Sequence, residues 1–351
     1  MLESAIPPNL LRERKCPVST PPNYQPPFPA YCARFSPETN DLVLAIIGVQ
    51  IPTKAAFDPK SLATIKKFVT DAPVDIRASS WEVASVTDKH GAYNIAIFAY
   101  WPKTETQKKW GSESGFNTWW QSSDREHDGH GWFKEVFRPS IDRFETVFSN
   151  SEHPEGAANM QDKISGEIEQ HAYWGSMRDR MAAAQDDELS GERLEQSKNS
   201  AATKRVRVPG KKNLCIIRSG QDWSDTLPEE RALYLNTMHP VLVKGMTFLR
   251  DEGREIGCYA NNLWDVVDPV SYEADKERTF GLGFFDDMKS LEYWSKSHQT
   301  HINIFGGFLM YAKKLNNVLS LRLFHEVYVL EEGQQEFEYI GCHKDTGMLV
   351  A

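Results

Sequence analysis

The chain has 351 residues, of which 40% are apolar and 25% are charged, and its 40 basic and 49 acidic side chains give a formal net charge of −9. This length allows one large domain or two modest ones, each with ample core. The acidic balance offers no basic surface for a phosphate backbone, so no nucleic-acid partner is expected. The longest apolar run, 42–52, is shorter than the roughly 20 residues that a membrane-spanning helix needs.

The N-terminal residues 1–16 carry charges but lack the apolar stretch of a secretion signal, so we expect a cytoplasmic protein. The five cysteines, at positions 16, 32, 215, 258 and 342, are an odd number without close spacing. This pattern argues against a disulfide framework, a thiolate zinc site and covalent haem attachment.

Proline dominates the first segment, because residues 7–29 hold eight of the 19 prolines. Proline fixes φ and lacks an N–H, so we predict a Pro-rich extended arm over residues 1–30. Residues 182–204 are rich in polar side chains, and we predict an irregular surface stretch there. This stretch separates two predicted halves, 31–181 and 205–351, of one structural domain.

The two halves repeat a pattern of strand and helix. In the first half the pattern covers 93–100, 102–110 and 143–148, and in the second it covers 279–285, 287–294 and 323–328; upstream, 44–50 is similar to 214–221. Each half reads strand, helix, strand, helix, strand, which is typical of a ferredoxin-like unit. We therefore predict an α+β fold in which two ferredoxin-like repeats form an antiparallel β-barrel flanked by helices. Its apolar interior would suit a bulky planar cofactor.

The run S-H-Q-T-H at 297–301 opens a helical pattern with apolar residues at steps of three and four. His301 lies on this apolar stripe, whereas we expect His298 to cap the helix or to face solvent. The neighbouring sequence lacks the third and fourth ligands that a protein metal site needs. His301 is therefore interpreted either as a hydrogen-bonded core residue or as the single axial ligand of a haem iron.

Residues 321–329 alternate with period two and place His325 in an otherwise aliphatic row. A buried imidazole there must be paired or must serve a site. In the repeat alignment His325 falls opposite Glu145, whose strand face includes Val147. We expect the two polar groups to meet across the interior and the carboxylate to raise the histidine pKa toward neutral pH; an exposed edge glutamate is the alternative.

Two further polar residues are candidates. Ser219 ends the strand pattern 214–221 beside Gly220, which allows a close approach, although a turn serine is the alternative. Arg178 lies at helical spacing from Trp174 and His171 within 167–181, although a solvated arginine at a helix end is the alternative. The common nucleotide, hydrolase and zinc-protease motifs are missing, so the residues alone indicate a haem-suited barrel.

Seven runs are more specific than any of these patterns. They are ESAIPPNL at 3–10, PPFP at 26–29, GEIEQHAYWGSMRDRM at 166–181, IRSGQDWSD at 217–225, SHQTH at 297–301, LFHEV at 323–327 and CHKDTGML at 342–349. In these runs, which span nearly the whole chain, the protein resembles the aldoxime dehydratases of the phenylacetaldoxime dehydratase type. Gln299 stands where the family's S-H-P-T-H run has proline, a change that spares His301.

The resemblance implies a lyase that holds haem b and converts an aldoxime, R–CH=N–OH, to a nitrile and water. His301 is similar to the proximal iron ligand of the family, and His325 is similar to its distal catalytic histidine. Arg178 and Ser219 resemble the groups that hold the oxime hydroxyl, and Glu145 resembles the acidic residue that orients the histidine.

The resemblance also implies that the active iron is ferrous and binds the oxime nitrogen, which leaves the hydroxyl free. We expect Val147 and Phe308 to line the substrate pocket, because they share faces with Glu145 and His301. We also expect a homodimer. A haem peroxidase that uses His325 and Arg178 as its peroxide pair, or a haem-binding sensor, is the alternative on the same scaffold.

Overall fold

A computed structural model describes residues 2–193 and 204–350 of the chain. Its strands are β1 Ala33–Arg34, β2 Val43–Ile51, β3 Ser80–Thr87, β4 Tyr93–Trp101, β5 Gly131–Phe137, β6 Phe144–Phe148, β7 Lys163–Ile164, β8 Arg205–Val208, β9 Leu214–Asp222, β10 Cys258–Val267, β11 Arg278–Phe285, β12 Arg322–Leu330 and β13 Gln335–Ile340. Its helices are α1 Pro59–Thr70, α2 Thr104–Glu113, α3 Phe116–Gln121, α4 Ser176–Arg180, α5 Pro228–Leu233, α6 His239–Asp251, α7 Met288–Ser297 and α8 Gln299–Lys314. A π-helical turn, Tyr234–Met238, joins α5 to α6.

Eleven strands form one antiparallel sheet in the order β6-β12-β9-β11-β10-β3-β4-β2-β5-β13-β8. The Tyr100 hydroxyl on β4 donates a hydrogen bond of 2.7 Å to Glu326 on β12, although four strands separate the two in this order. Neighbouring strands lie about 4.8 Å apart, so this contact requires a strongly curled sheet. The α+β class is confirmed. A closed barrel was expected, but in the described residues the edge strands β6 and β8 are not paired with each other. The sheet is therefore strongly curled and not closed.

Both halves place their strands in the same spatial order. The first half reads β5-β2-β4-β3, and the second reads β12-β9-β11-β10. By this order β12 corresponds to β5, so the predicted correspondence between 143–148 and 323–328 is wrong. The strand at 144–148, β6, instead pairs directly with β12.

The inside of the curl is filled by one aromatic and aliphatic cluster drawn from both halves, which includes Phe98, Phe137, Phe284, Phe324 and Tyr328. On the outside, α1 to α3 pack on the first half around Trp110, Phe116 and Trp120. Helices α6 and α7 cover the second half, and α8 packs mainly on α6, on α7 and on the π-helical turn.

The sequence places the break between α7 and α8 correctly. Asp287 caps α7 by accepting a hydrogen bond from the Ser290 amide, and His298 caps α8 by accepting one from the Thr300 amide. The capping role predicted for His298 is therefore confirmed. The helix expected over 167–181 is wrong except for its last turn, because Ala172 and Gly175 have positive φ and only Ser176–Arg180 is helical.

The N-terminal arm lies along residues 166–188 and is tied down by polar contacts. The Lys15 and Cys16 amides donate to the Gln185 carbonyl at 2.7 and 3.0 Å, and the Tyr24 hydroxyl donates to the His171 carbonyl at 2.8 Å.

The first part of the predicted surface stretch at 182–204 is not on the surface. Residues Ala182–Gln185 form a buried 3-10 turn, and Leu189 is fully buried, because this segment fills the space between the arm and the sheet. Residues 194–203 lie outside the described residues.

No helix in the described ranges is long and apolar enough to cross a membrane. All five cysteines are free thiols, and four of them are buried.

Candidate active site

Three predicted site residues lie side by side on adjacent strands. In the register of the sheet, His325 on β12 is opposite Val147 on β6 and opposite Ser219 on β9. Directly opposed residues in an antiparallel sheet project from the same face. Glu145 lies two positions from Val147 and therefore shares that face. Sheet pairing thus brings together four of the candidate residues.

This face is the outer one, which the helices cover. Cys215, Val327 and Val329 lie on it and pack in the cluster that includes α6 and α7. Their strand neighbours Ile216, Phe324 and Tyr328 fill the inside of the curl. The expectation that Glu145 and His325 meet across the interior is therefore wrong, because β6 and β12 are neighbours. The aromatic filling also leaves the interior unsuited to the predicted haem.

Gly220, which was expected to allow a close approach beside Ser219, has another role. A Cβ at this position would overlap the ring of Phe324, its cross-strand partner. The glycine therefore admits a core phenylalanine on the inner face and not a ligand on the outer face. Neither the Ser219 hydroxyl nor the His325 ring is hydrogen-bonded to another residue of the described ranges, so both polar groups face the site unpaired.

His325 has a pKa lowered to about 3. Burial of the ring is the largest cause, and the positive charge of Arg180 and the ring of His301 lower it further. The expected rise of this pKa toward neutral pH is wrong, because desolvation and a neighbouring cation outweigh the carboxylate. His325 is consequently neutral at pH 7.

Arg180 is the basic group at this face, and the sequence interpretation missed it. Its Nε and Nη2 donate to the two carboxylate oxygens of Glu145 at 2.6 and 3.0 Å, and its Nη1 donates to the Gln170 carbonyl at 2.9 Å. Both side chains are buried. Burial raises the pKa of Glu145, and the charge of Arg180 opposes that rise. The sequence does contain an indication of Arg180, because the run W-G-S-M-R-D-R holds this second arginine two positions after Arg178.

Arg178, the arginine that the sequence suggested, points elsewhere. Its Nε and Nη2 donate to Glu292 on α7 at 2.9 and 2.8 Å, and its Nη1 donates to the Glu188 carbonyl at 2.8 Å. The structure therefore does not bring Arg178 to His325. Arg178 and Arg180 separate because two residues along a helix turn it by about 200°.

His301 lies near the start of α8 among aromatic rings. Its ring centroid is 4.7 Å from that of Trp294 and 5.9 Å from that of Trp174. Its Nδ1 is buried and has no hydrogen-bond partner in the described residues. Burial lowers its pKa to about 4, and a contact with the Ser295 carbonyl opposes this shift. The ring is therefore neutral at pH 7, which is the state that binds a metal ion.

Phe308 and the arm form an apolar wall that extends from this helix. The Phe308 ring meets Phe28 edge to face at a centroid distance of 5.5 Å, and Phe28 lies 5.8 Å from the ring of His171. His171 is 4% exposed, and its Nε2 has no hydrogen-bond partner in the described residues. Burial and the charge of Arg180 lower the pKa of His171 to about 4. Val147 packs against Ala5 and Ala30 of the same arm.

The donor set fits a haem better than a metal held by protein ligands alone. In the described residues no group of three or more His, Cys, Asp or Glu side chains could hold a metal ion. A single neutral imidazole on an aromatic, apolar helix is the axial ligand that a haem iron needs. Of the 16 residues of α8 only Tyr311 and Ala312 are buried, so the half-buried Phe305 and Phe308, which share the helix face of His301, can pack on a porphyrin.

Comparisons with known proteins agree with this assignment. A family model described as haem-containing dehydratase matches residues 45–348. Aliphatic aldoxime dehydratases from Rhodococcus erythropolis and Pseudomonas chlororaphis are each 36% identical over 350 residues, which cover 99% of this chain and 98% of theirs. A phenylacetaldoxime dehydratase from Bacillus sp. (strain OxB-1) is 32% identical over 336 residues, with 94% and 93% of the two chains covered.

Solved structures show the same fold. A crystal structure of an aldoxime dehydratase in complex with butyraldoxime matches with a TM-score of 0.92 at 35% identity, over 99% of this chain and 96% of that one. A second aldoxime dehydratase structure matches with a TM-score of 0.91 at 34% identity, over 99% and 98%. The likeness covers every element that carries a candidate residue.

Proposed function

Because this chain belongs to the family of haem-containing aldoxime dehydratases, we propose that it removes water from an aldoxime at the outer face of β6, β12 and β9, beneath α8. The observation that carries this location is the cross-strand row Val147–His325–Ser219, which faces the side of the sheet that the helices cover.

His301 would hold the haem iron through its unprotonated ring nitrogen. When bound, the haem would supply the electron-donating and electron-accepting chemistry that cleavage of the N–O bond requires. The lowered pKa of His301 supports this role, because an unprotonated nitrogen is ready to bind iron. Phe305 and Phe308 follow His301 on α8 and would pack on the ring system.

His325 would move the proton that the reaction transfers. Dehydration breaks the C–H and N–O bonds of the oxime, and the leaving hydroxide needs a proton to depart as water. Because the ring is neutral at rest, its free nitrogen would first accept the proton from the oxime carbon, and the imidazolium so formed would then give a proton to the oxygen. His325 would thus carry one proton from carbon to oxygen in each turnover.

Ser219 and Arg180 would hold the oxime oxygen. The Ser219 hydroxyl lies next to His325 in the register and can donate a hydrogen bond to the departing oxygen. The buried guanidinium of Arg180 stabilises negative charge that develops there. Glu145 fixes the Arg180 guanidinium through two hydrogen bonds, so we give Glu145 a positioning role.

The substrate side chain would meet the apolar wall formed by Val147, Phe308 and Phe28. Edge-to-face aromatic contacts such as that of Phe28 with Phe308 make a rigid surface. This wall suits an aldoxime with an alkyl or aryl group and offers no charged partner for an ionic one.

We further propose that the halves 31–181 and 205–351 are two ferredoxin-like repeats, supported by their common strand order. A homodimer is also proposed. It is supported by the exposed apolar side chains Ile302, Leu309 and Met310 on α8, which are 38%, 42% and 59% exposed. Light scattering of the haem-loaded protein tests this assembly. The cytoplasmic location stays a prediction.

The direct test is an anaerobic assay of dithionite-reduced protein with an arylacetaldoxime, in which nitrile is followed by chromatography. We expect nitrile to form with the reduced protein and formation to fade on air oxidation. Turnover of peroxide with a dye substrate, without nitrile formation, would instead support the peroxidase interpretation.

The His301→Ala variant tests the haem assignment. Non-covalent haem b should be lost, because no other described residue of the α8 stripe offers a ligand nitrogen. A normal Soret band in this variant would remove His301 from the ligand role.

A further inference from the structure

A buried charged pair lies directly behind the proposed catalytic residues. Arg218 precedes Ser219 on β9, and Glu326 follows His325 on β12. The register sets Arg218 opposite Glu326, next to the pair of Ser219 and His325. Because successive residues of a strand face opposite sides, Arg218 and Glu326 point into the curl of the sheet while their neighbours face the site.

Both charged side chains are removed from water. Arg218 is 0% and Glu326 is 1% exposed. An Arg218 Nη1 and a Glu326 Oε1 lie 3.7 Å apart, which is an ion pair without a hydrogen bond, and the other Arg218 Nη contacts Glu82. The Arg218 guanidinium lies 4.1 Å from the ring centroid of Phe280 and 4.8 Å from that of Phe324.

Glu326 is held from two further elements. Its Oε1 accepts a hydrogen bond of 2.7 Å from the Tyr100 hydroxyl on β4, and its Oε2 accepts one of 2.8 Å from the Ala157 amide. The Glu326 carboxylate therefore fixes the position of β12 along the strand axis, because its partners lie across the curl of the sheet.

The apolar pattern alone does not fix how β9 and β12 align. A slip by one residue would turn the apolar side chains to the wrong face, but a slip by two would not. After a two-residue slip Ser219 would face Leu323 or Val327, which are acceptable neighbours in an aliphatic row. Arg218 would then face Phe324 or Tyr328, and Glu326 would lose its cation in a buried setting, which is strongly unfavourable.

We propose that Arg218 and Glu326 are positioning residues, whose buried pairing fixes the register of β9 against β12 and thereby holds Ser219 opposite His325. This inference rests on the proposed function. It assigns a purpose to the charged residue in each of the two sequence runs, I-R-S-G-Q and L-F-H-E-V, that carry Ser219 and His325.

The test compares Glu326→Gln with Glu338→Gln in the reduced, haem-loaded protein. Glu338 is a matched control, because it is also 1% exposed and ion-paired in the same sheet, with Arg205 at 2.7 Å, and it also accepts a bond from the Trp120 ring at 2.9 Å. Glu338 lies on β13, and six strands separate β13 from β9 in the sheet order.

We expect Glu326→Gln to lower kcat by roughly 10- to 100-fold with a normal Soret band and a smaller change in KM, because a misplacement of about 1 Å is that costly. Glu338→Gln should keep kcat. In the wild-type background, the fold-losses of kcat caused by Ser219→Ala and His325→Ala should not multiply when the two changes are combined. In the Glu326→Gln background, the combined loss should equal the product of the two single losses.

A double variant, Arg218→Met with Glu326→Leu, separates register from stability. Replacing both members of a buried ion pair by apolar residues costs less stability than leaving one charge without its partner, so the urea midpoint should exceed that of Glu326→Gln while kcat stays low. If Glu326→Gln does not fold, Tyr100→Phe, which removes one hydrogen bond to Glu326, gives the same comparison in milder form.

Wild-type kcat in Glu326→Gln, recovery of both stability and kcat in the double variant, or an equal loss of kcat in Glu338→Gln would each overturn the inference. Another result would contradict the proposed function and not this inference. If Ser219→Ala and His325→Ala both retain full kcat in the wild-type background, these residues are not catalytic, and a register that aligns them has no bearing on turnover.

Discussion

The rings of His325, His301 and His171 have pKa values lowered to about 3, 4 and 4, with burial as the largest cause in each case. A histidine that stays neutral can bind iron or accept a proton without first losing one. The neighbouring cation Arg180 adds to the effect at His325 and His171. At the residue scale, desolvation thus sets the protonation state of the site.

The two arginines of the W-G-S-M-R-D-R run give a direct comparison. Arg180→Lys should lower kcat at least about tenfold, because lysine cannot make the two parallel hydrogen bonds that Arg180 makes to Glu145. Arg178→Lys is the matched control and should change kcat by less than about threefold, since Arg178 bonds to Glu292 and to the Glu188 carbonyl and not to Glu145. Steady-state kinetics of both variants show which arginine contributes to turnover. A larger loss of kcat in Arg178→Lys than in Arg180→Lys would support Arg178 as the site residue.

The lowered pKa of His171 predicts how stability depends on pH. Its folded pKa is about 4 against an ordinary value of 6.5, so the unfolded chain binds the extra proton as pH falls. The contribution of His171 to the free energy of unfolding is fully present above pH 6.5, and it is lost as the pH falls from 6.5 to about 4. By pH 5 the loss is on the order of 1–2 kcal/mol.

Urea unfolding at pH 7.5 and pH 5 measures this effect. The decrease in the free energy of unfolding should be smaller in His171→Gln than in the wild type. The exposed His127, changed to Gln, serves as the control and should keep the wild-type dependence. An unchanged decrease in His171→Gln would show that His171 is not a source of the acid sensitivity.

At the scale of elements, one carboxylate joins the helix that carries His301 to the strand that carries His325. Glu230 on α5 accepts a hydrogen bond of 2.9 Å from the Tyr311 hydroxyl on α8. It also accepts bonds from the Ser320 and Leu321 amides just before β12, each at 2.9 Å. Glu230 therefore sets the spacing between α8 and β12.

The Tyr311→Phe variant should loosen this spacing. Losing a hydrogen bond to a charged group costs about 1.5–3 kcal/mol, so we expect haem to dissociate several-fold faster, as measured by transfer to excess apomyoglobin. Tyr234→Phe is the matched control, because Tyr234 is 2% exposed and its hydroxyl has no partner in the described residues. Equal dissociation rates in the two variants would contradict the role of Glu230.

Local sequence signals predicted some elements and failed for others for physical reasons. The boundary at Asp287 and His298 was predictable because capping is local. The partner of β6 was not, because strand pairing depends on the whole sheet and a similar alternating pattern fits several neighbours. Arg180 was missed for the same reason, since only tertiary packing decides which of two nearby arginines turns toward Glu145.

At the scale of the whole molecule, the two halves share a strand order but differ in how helices cover them. On the first half, Trp110, Phe116 and Trp120 are at most 1% exposed and pack α2 and α3 tightly on the sheet. On the second half, α8 packs mainly on other helices, and its His301 lies close enough to His325 on β12 to lower the pKa of that ring. The second half thus combines the apolar helix α8 with the unpaired side chains of His325 and Ser219, and the proposed site lies there.

The measurement that tests this account most directly is turnover by His325→Ala in the reduced, haem-loaded protein. The variant should keep its Soret band and bind aldoxime, because His301 and the apolar wall are untouched. It should lose about 10²–10⁴-fold in kcat, the usual contribution of a positioned proton-transfer group. Near-normal kcat with haem bound would contradict the account and would leave Arg180 and Ser219 to move the proton.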